Sequence, residues 1–198
     1  MPLPPELLRD VSRDEVNELP VRRYEGPVVL VETAPMLEAA MADLRAEHVA
    51  GFDTETRPAF KIGESYPPAL AQLATARAVY LFQVQQLDFE PELAELMGSQ
   101  RLVKAGVSVK DDLRQLQKVA AFEAKSVIDL GDVVKRHGLK QSGVRNLAGL
   151  FLGYRVPKGA KTTNWAAARL SAQQITYAAT DAWVCRELYL KFEALGLL

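Results

Sequence analysis

Asp53 and Glu55 stand two residues apart in GFDTETRP (51–58), at the end of a largely apolar run, HVAGF. In a strand, side chains at i and i+2 leave the same face. Both carboxylates then project together, an unfavourable arrangement unless something positive offsets them. Two more acidic spots are candidates to share that site. Asp111 and Asp112 open a helix-like stretch directly after RLVKAGV (101–107). Asp181 sits in YAATDAWVCREL among small and apolar neighbours, where a carboxylate is costly to bury without a partner. Tyr177, four residues earlier, shares its helix face. Each feature alone is ordinary. D-x-E is more often a surface pair, DD at a helix start is usually a dipole interaction, and Tyr/Asp at i, i+4 is usually a structural hydrogen bond.

The elements that must carry these residues are legible as patterns. PVVLVET (27–33) reads as a strand and 34–47 as a helix, followed by the strand bearing Asp53 and Glu55. RPAFKIGESYPP is a Pro- and Gly-containing loop. Residues 69–84 read as two strands around a turn near 75–77, hence an antiparallel hairpin and a mixed sheet. PELAELMG is a short helix closed by Gly98. RLVKAGV and SVIDL read as strands, and 109–120, 131–138 and 144–153 as helices. A Gly/Lys/Thr-rich loop covers 154–163, and a last helix starts at Ser171 with the capping box SAQQ. Strands first, with helices interspersed and then dominant, predicts an α/β or α+β domain. Residues 1–26 hold Pro2, Pro4, Pro5 and Pro20 and read as an N-terminal arm with a short helix capped at Ser12.

Composition narrows the function classes. The 198 residues fit one domain, or one with an appendage, and 48% are hydrophobic, enough for a substantial core. No run of about 18 apolar residues predicts a membrane span, and the N-terminus lacks the pattern of a secretory signal. The single cysteine, Cys185, forms no internal disulfide and fits a reducing, cytoplasmic setting. Two histidines and no CxxC argue against a His/Cys zinc site. The net charge of -1 hides a basic segment: 133–180 has no acid but carries Lys135, Arg136, Lys140, Arg145, Arg155, Lys158, Lys161 and Arg169.

FDTET, KAGVSVKDDLRQL and NW…LSAQQITYAATDA resemble the three exonuclease motifs of the DEDD superfamily. They match its tyrosine-type branch, which includes RNase D and the exonuclease domain of the Werner syndrome protein. The second and third motifs look most like the Werner type. The resemblance spans roughly 28–190. It implies an α/β, RNase H-like fold with a mixed five-stranded sheet flanked by helices, with the exonuclease domain at 27–198. It also implies a 3′→5′ exonuclease that releases nucleoside 5′-monophosphates with two divalent cations, Mg²⁺ or Mn²⁺.

The motifs carry over residue by residue. Asp53 and Glu55 match the first acids, Asp112 the second-motif acid and Asp181 the last. Tyr177 matches the tyrosine of Y-x-x-x-D, and Thr176 stands where the histidine branch would need His. The resemblance gives Asp53 to both ions, and Glu55 and Asp181 to the one that activates water. It gives Asp112 to the other and the holding of the attacking water to Tyr177. Asp129 and Asp132 match no family position and read as structural or helix-start residues. Expected substrate contacts are the backbone at Thr54, phosphate binding by Lys158 and Lys161, and Asn164 with Trp165 of the NW pair. Core packing is favoured over base stacking for Trp165.

The partner implied is the 3′ end of a nucleic acid. DNA is favoured over RNA, because RNase D-type proteins often carry a helical C-terminal RNA-binding domain and this chain ends soon after its last motif. The alternatives are RNase D-like trimming of RNA 3′ ends and a non-catalytic nucleic-acid-binding module.

Overall fold

The structure is a computed structural model that describes residues 3–59, 61, 63–85, 88–159 and 163–198. Six strands, β1 (Val28–Val31), β2 (Val49–Thr56), β3 (Pro68–Ala74), β4 (Val79–Phe82), β5 (Val103–Gly106) and β6 (Val127–Asp129), form one sheet in the order β1-β4-β3-β2-β5-β6. β3 runs antiparallel to both β2 and β4, and the other pairs are parallel. The sheet is therefore mixed, as the short turn at 75–77 predicts. It has six strands where the family resemblance implied five. The sixth is the three-residue β6 within SVIDL, which reaches the edge by parallel pairing with β5.

β2 and β3 are the central strands, and their apolar runs are buried on both faces. On one face lie α2 (Ala34–Ala46), α3 (Glu90–Gly98) and α4 (Val109–Leu116). Their Leu37, Met41, Leu93 and Leu116 pack with Phe52, Leu73 and Phe82 of the sheet. On the other face lie α5 (Leu130–Arg136), α6 (Val144–Leu147) and the long α7 (Ala172–Ala194). α7 begins with the predicted capping box, Ser171 with Gln174. It crosses the middle of the sheet, burying Ala178, Ala182, Val184 and Leu188.

Three helices differ in extent from the sequence reading. α4 ends at Leu116, four residues early. The 144–153 stretch starts as α6 and widens to π-helix over Ala148–Leu152. Gly98 is the last residue of α3, and the extended Ser99 ends it.

The arm contains α1 (Arg13–Glu18), whose capping box joins Ser12 and Glu15 as SRDE predicts. Beyond it the chain pairs with the 154–159 loop. Arg155 N donates to Pro20 O at 2.9 Å and Arg22 N to Arg155 O at 2.9 Å. Among the described residues no helix is long and apolar enough to cross a membrane.

Candidate active site

The strand β2 sends alternate residues to opposite faces. Phe52 enters the core under α2, while Gly51, Asp53 and Glu55 face α7. Gly51 has no side chain because there is no room for one. A Cβ there would run into the backbone carbonyl of Ala182 and lie 2.7 Å from Arg186 N. The helix backbone thus rests directly on the strand, two residues before Asp53 and one residue after Asp181. The result is a tight acidic cluster. One carboxylate oxygen from each of Asp53, Glu55 and Asp181 lies within 4.8 Å of the others.

Asp112 arrives from the opposite direction. β5 ends at Gly106, where a Cβ would crowd Phe52 O and Val109. Ser108 then takes a left-handed conformation (φ 62°) to turn the chain into α4. That conformation is sparsely populated by residues with a side chain. Asp129 braces this turn: one carboxylate oxygen accepts from Val109 N at 3.1 Å, and the other caps α5 through Gly131 N and Asp132 N. Asp129 and Asp132 are thus helix-start residues, and Asp132 is occupied by Lys110 and Lys135. Of the two acids on α4, Asp111 faces solvent and pairs with Arg114, whereas Asp112 turns inward and accepts a hydrogen bond from the Thr54 hydroxyl.

Asp53, Thr54, Glu55, Asp112, Tyr177 and Asp181 line one cavity of about 270 Å³ together with Val107, Val144 and Cys185. Its electrostatics follow from the crowding. Burial, then the charges of Asp181, Glu55 and Asp112, push the Asp53 carboxyl well above its usual range. Burial also raises Asp112, while the Thr54 hydrogen bond opposes the shift. The Tyr177 phenol is raised by burial, by the charge of Asp181 and by its hydrogen bond to Asp181, so it keeps its proton at neutral pH. Cys185, one turn beyond Asp181, is buried, and its thiol is held protonated by that burial and by Asp53 and Asp181.

The basic loop covers Tyr177 from the other side. A Cβ on Gly159 would fall inside the Tyr177 ring, so only glycine lets the loop lie flat against the phenol. Lys158 is exposed beside it and lines two further cavities that also contain Tyr177 and Asp181.

All five residues of the acid-and-tyrosine set therefore meet in one place. The substrate-contact expectations fare differently. Thr54 is at the site, but its side chain serves Asp112. Trp165 is fully buried against Ala178, Ala179 and Ala182, its ring centroid 6.1 Å from that of Tyr177. It is a core residue backing the tyrosine, with no face offered to a base. Asn164 is outside the walls of these cavities. Its side chain accepts from Ala166 N and its carbonyl from Gln174, a turn role. Lys161 lies outside the described residues. Two participants had no signal in the sequence, the glycine at 159 and the arm residue Arg23, which lines the cavity shared by Lys158 and Tyr177. Both act through contacts between distant segments.

Comparison with known proteins agrees with this geometry. A family profile described as 3′-5′ exonuclease matches residues 28–196. The bifunctional 3′-5′ exonuclease/ATP-dependent helicase WRN of Mus musculus is 29% identical over 191 residues, 91% of this chain and 14% of that protein. Ribonuclease D of Bartonella henselae is 26% identical, over 90% of this chain and 44% of that one. This chain spans less than half the length of either relative. Among solved structures, the Aedes aegypti Nibbler EXO domain superposes with a TM-score of 0.76 at 25% identity, covering 87% of this chain and 91% of that one. Escherichia coli RNase D gives 0.73 at 23% identity, covering 86% and 46%. The fold is RNase H-like.

Proposed function

This chain belongs to the 3′-5′ exonuclease family, in its tyrosine-type DEDD form, and from that premise we propose that it hydrolyses the terminal phosphodiester of a DNA 3′ end with the help of two divalent cations. The observation that carries the reading is the convergence of Asp53, Glu55 and Asp181 within 4.8 Å, with Asp112 and Tyr177 on the same cavity.

The donor set fits such cations. It is made of carboxylate oxygens, the ligands that Mg²⁺ and Mn²⁺ prefer. Its like charges also raise Asp53 well above its usual range, a cost that bound cations remove. Asp53, Glu55 and Asp181 would hold one ion and Asp53 with Asp112 the other. Bound there, divalent ions lower the pKa of water and neutralise charge on the phosphate.

The chain's own residues do the rest. The Tyr177 hydroxyl is hydrogen-bonded to Asp181 and keeps its proton. Its oxygen is left as an acceptor for a hydrogen of the attacking water, turning a water lone pair toward phosphorus. Tyr177 orients and does not abstract. The water oxygen bonds to phosphorus and gives up one proton, the bond from phosphorus to the 3′ oxygen breaks, and that oxygen takes up a proton in its place. The products are a nucleoside 5′-monophosphate and a strand shortened by one residue. Lys158 stands where it meets phosphate oxygens of the bound strand, which makes affinity salt-dependent.

The Werner-type character of the second and third motifs supports DNA. The 26% identity to a ribonuclease D supports RNA 3′-end trimming as the second reading. The test is a 5′-labelled strand of each kind, with Mg²⁺, Mn²⁺ or EDTA. A DNA ladder that needs metal, outpaces the RNA ladder and disappears in Asp53→Asn is expected. Undiminished cleavage in EDTA overturns the metal reading, and a faster RNA ladder reverses the substrate. Binding without cleavage under every metal makes the protein a binding module instead.

A further inference from the structure

The segment before residue 28 lies outside the family match, yet it reaches the site. Its backbone is pinned on both sides of Arg23. On one side, Arg22 and Pro20 bond to the backbone of Arg155. On the other, Tyr24 N donates to the Thr180 hydroxyl at 3.1 Å, on the turn of α7 that carries Asp181. Tyr24 also packs on Trp183, with ring centroids 5.9 Å apart. Arg22 is already engaged, its guanidinium 5.7 Å from the centre of the Tyr154 ring.

Arg23 is held between these two anchors. It is exposed and forms no ion pair among the described residues. With Lys158 it lines a cavity of about 350 Å³ that includes Gln173, Thr176, Tyr177 and Asp181. That cavity shares Tyr177 and Asp181 with the acidic one, so it adjoins the place where the end of a strand would meet the acids. Arg23 and Lys158, neither in an ion pair among the described residues, face it with the first turn of α7, which has no acid of its own. A helix start of this kind favours negative charge.

We propose that Arg23 and Lys158 form a phosphate clamp that grips the backbone of the bound strand beside the scissile end, so that the arm is part of the nucleic-acid site. The clamp rests on the exonuclease reading above. It adds to that reading a residue on a segment the family pattern does not supply. A guanidinium suits the task because its planar fork meets phosphate oxygens with two bonds.

The test is equilibrium binding of a fluorescent single-stranded DNA in EDTA, where no cleavage occurs, across a range of salt. Arg23→Ala is expected to weaken binding about 5- to 10-fold and to flatten the slope of log K against log salt by about 0.7, the value for one phosphate of a single strand. Arg23→Lys keeps the slope, since it keeps the charge. Arg9→Ala, whose arginine is on the arm but paired with Glu15, changes neither quantity. Equal melting temperatures establish that the variants are folded. A folded Arg23→Ala with wild-type affinity and slope overturns the clamp alone, provided the wild type binds and cleaves. A wild type that neither binds nor cleaves overturns the clamp together with the reading beneath it.

Discussion

Asp43 is buried on one face of the sheet and Asp53 is half-buried on the other, and they are held in opposite ways. Asp43, on α2, accepts from the Thr75 hydroxyl at 2.7 Å and the Tyr80 hydroxyl at 2.9 Å, and it pairs with Arg77. Its partners are two hydroxyl donors and a cation. The charges around Asp53 are Asp181, Glu55 and Asp112, all of its own sign. The first arrangement is what a buried carboxylate needs to support a fold. The second gives up stability, and such like-charged clusters mark sites kept for chemistry. The difference separates structural from functional acids by their neighbours alone.

The sharpest way to break that contrast is to remove each acid in turn. Asp43→Ala leaves two hydroxyls and a guanidinium without their acceptor, and is expected to lower folding stability by about 3 kcal/mol. Activity per folded molecule should persist. Asp53→Asn is expected to lower kcat by about 10³-fold or more, the several kcal/mol that ion-assisted charge stabilisation supplies. It should also raise the melting temperature of the metal-free protein. Denaturant titration and steady-state rates on both variants check this. A destabilised Asp53→Asn, or an Asp43→Ala that melts like wild type, removes the distinction.

A smaller effect sharpens the geometry. Gly159→Ala forces a methyl group into the space of the Tyr177 ring, so either the loop lifts or the phenol moves. Displacing an orienting group by about 1 Å costs on the order of 10²-fold in rate. The expected outcome is that loss in kcat with an unchanged melting temperature, since residue 159 is in an exposed loop.

The smallest effect is a dependence on pH. The folded pKa of Asp53 is raised above the ordinary 3.8. A group raised in this way stabilises the fold while protonated. The contribution is whole below pH about 4 and is lost as pH rises through the folded value. The metal-free protein should therefore lose stability as pH climbs toward neutrality, less so in Asp53→Asn, and added Mg²⁺ should restore it. Melting curves across pH with and without Mg²⁺ measure this. A flat wild-type profile contradicts the electrostatic account.

What was readable from the chain follows the range of the interactions. Capping boxes at Ser12 and Ser171, the alternation that pairs Asp53 with Glu55, and the one-turn spacing of Tyr177 and Asp181 are local, and the structure keeps all of them. The choice of Asp112 over Asp111 rested on motif alignment and is explained only by the fold, where the Thr54 hydroxyl meets Asp112 from a strand 58 residues away. The same holds for Asp129, which ties the start of α4 to that of α5, and for the arm, whose anchor at Thr180 lies 156 residues from Tyr24. Core packing is the reading the sequence favours for Trp165, and the fold supplies its partners, Ala178, Ala179 and Ala182 of α7.

The contact at Gly51 has a wider bearing. With no side chain between them, strand and helix are seated backbone on backbone, so three of the four acids share one datum. The 154–159 loop, whose Lys158 and Gly159 line the neighbouring cavities, leaves and returns without passing through that seat. Surface loops accept changes of length at modest entropic cost. The loop can therefore change in length or sequence while the acids beneath keep their alignment.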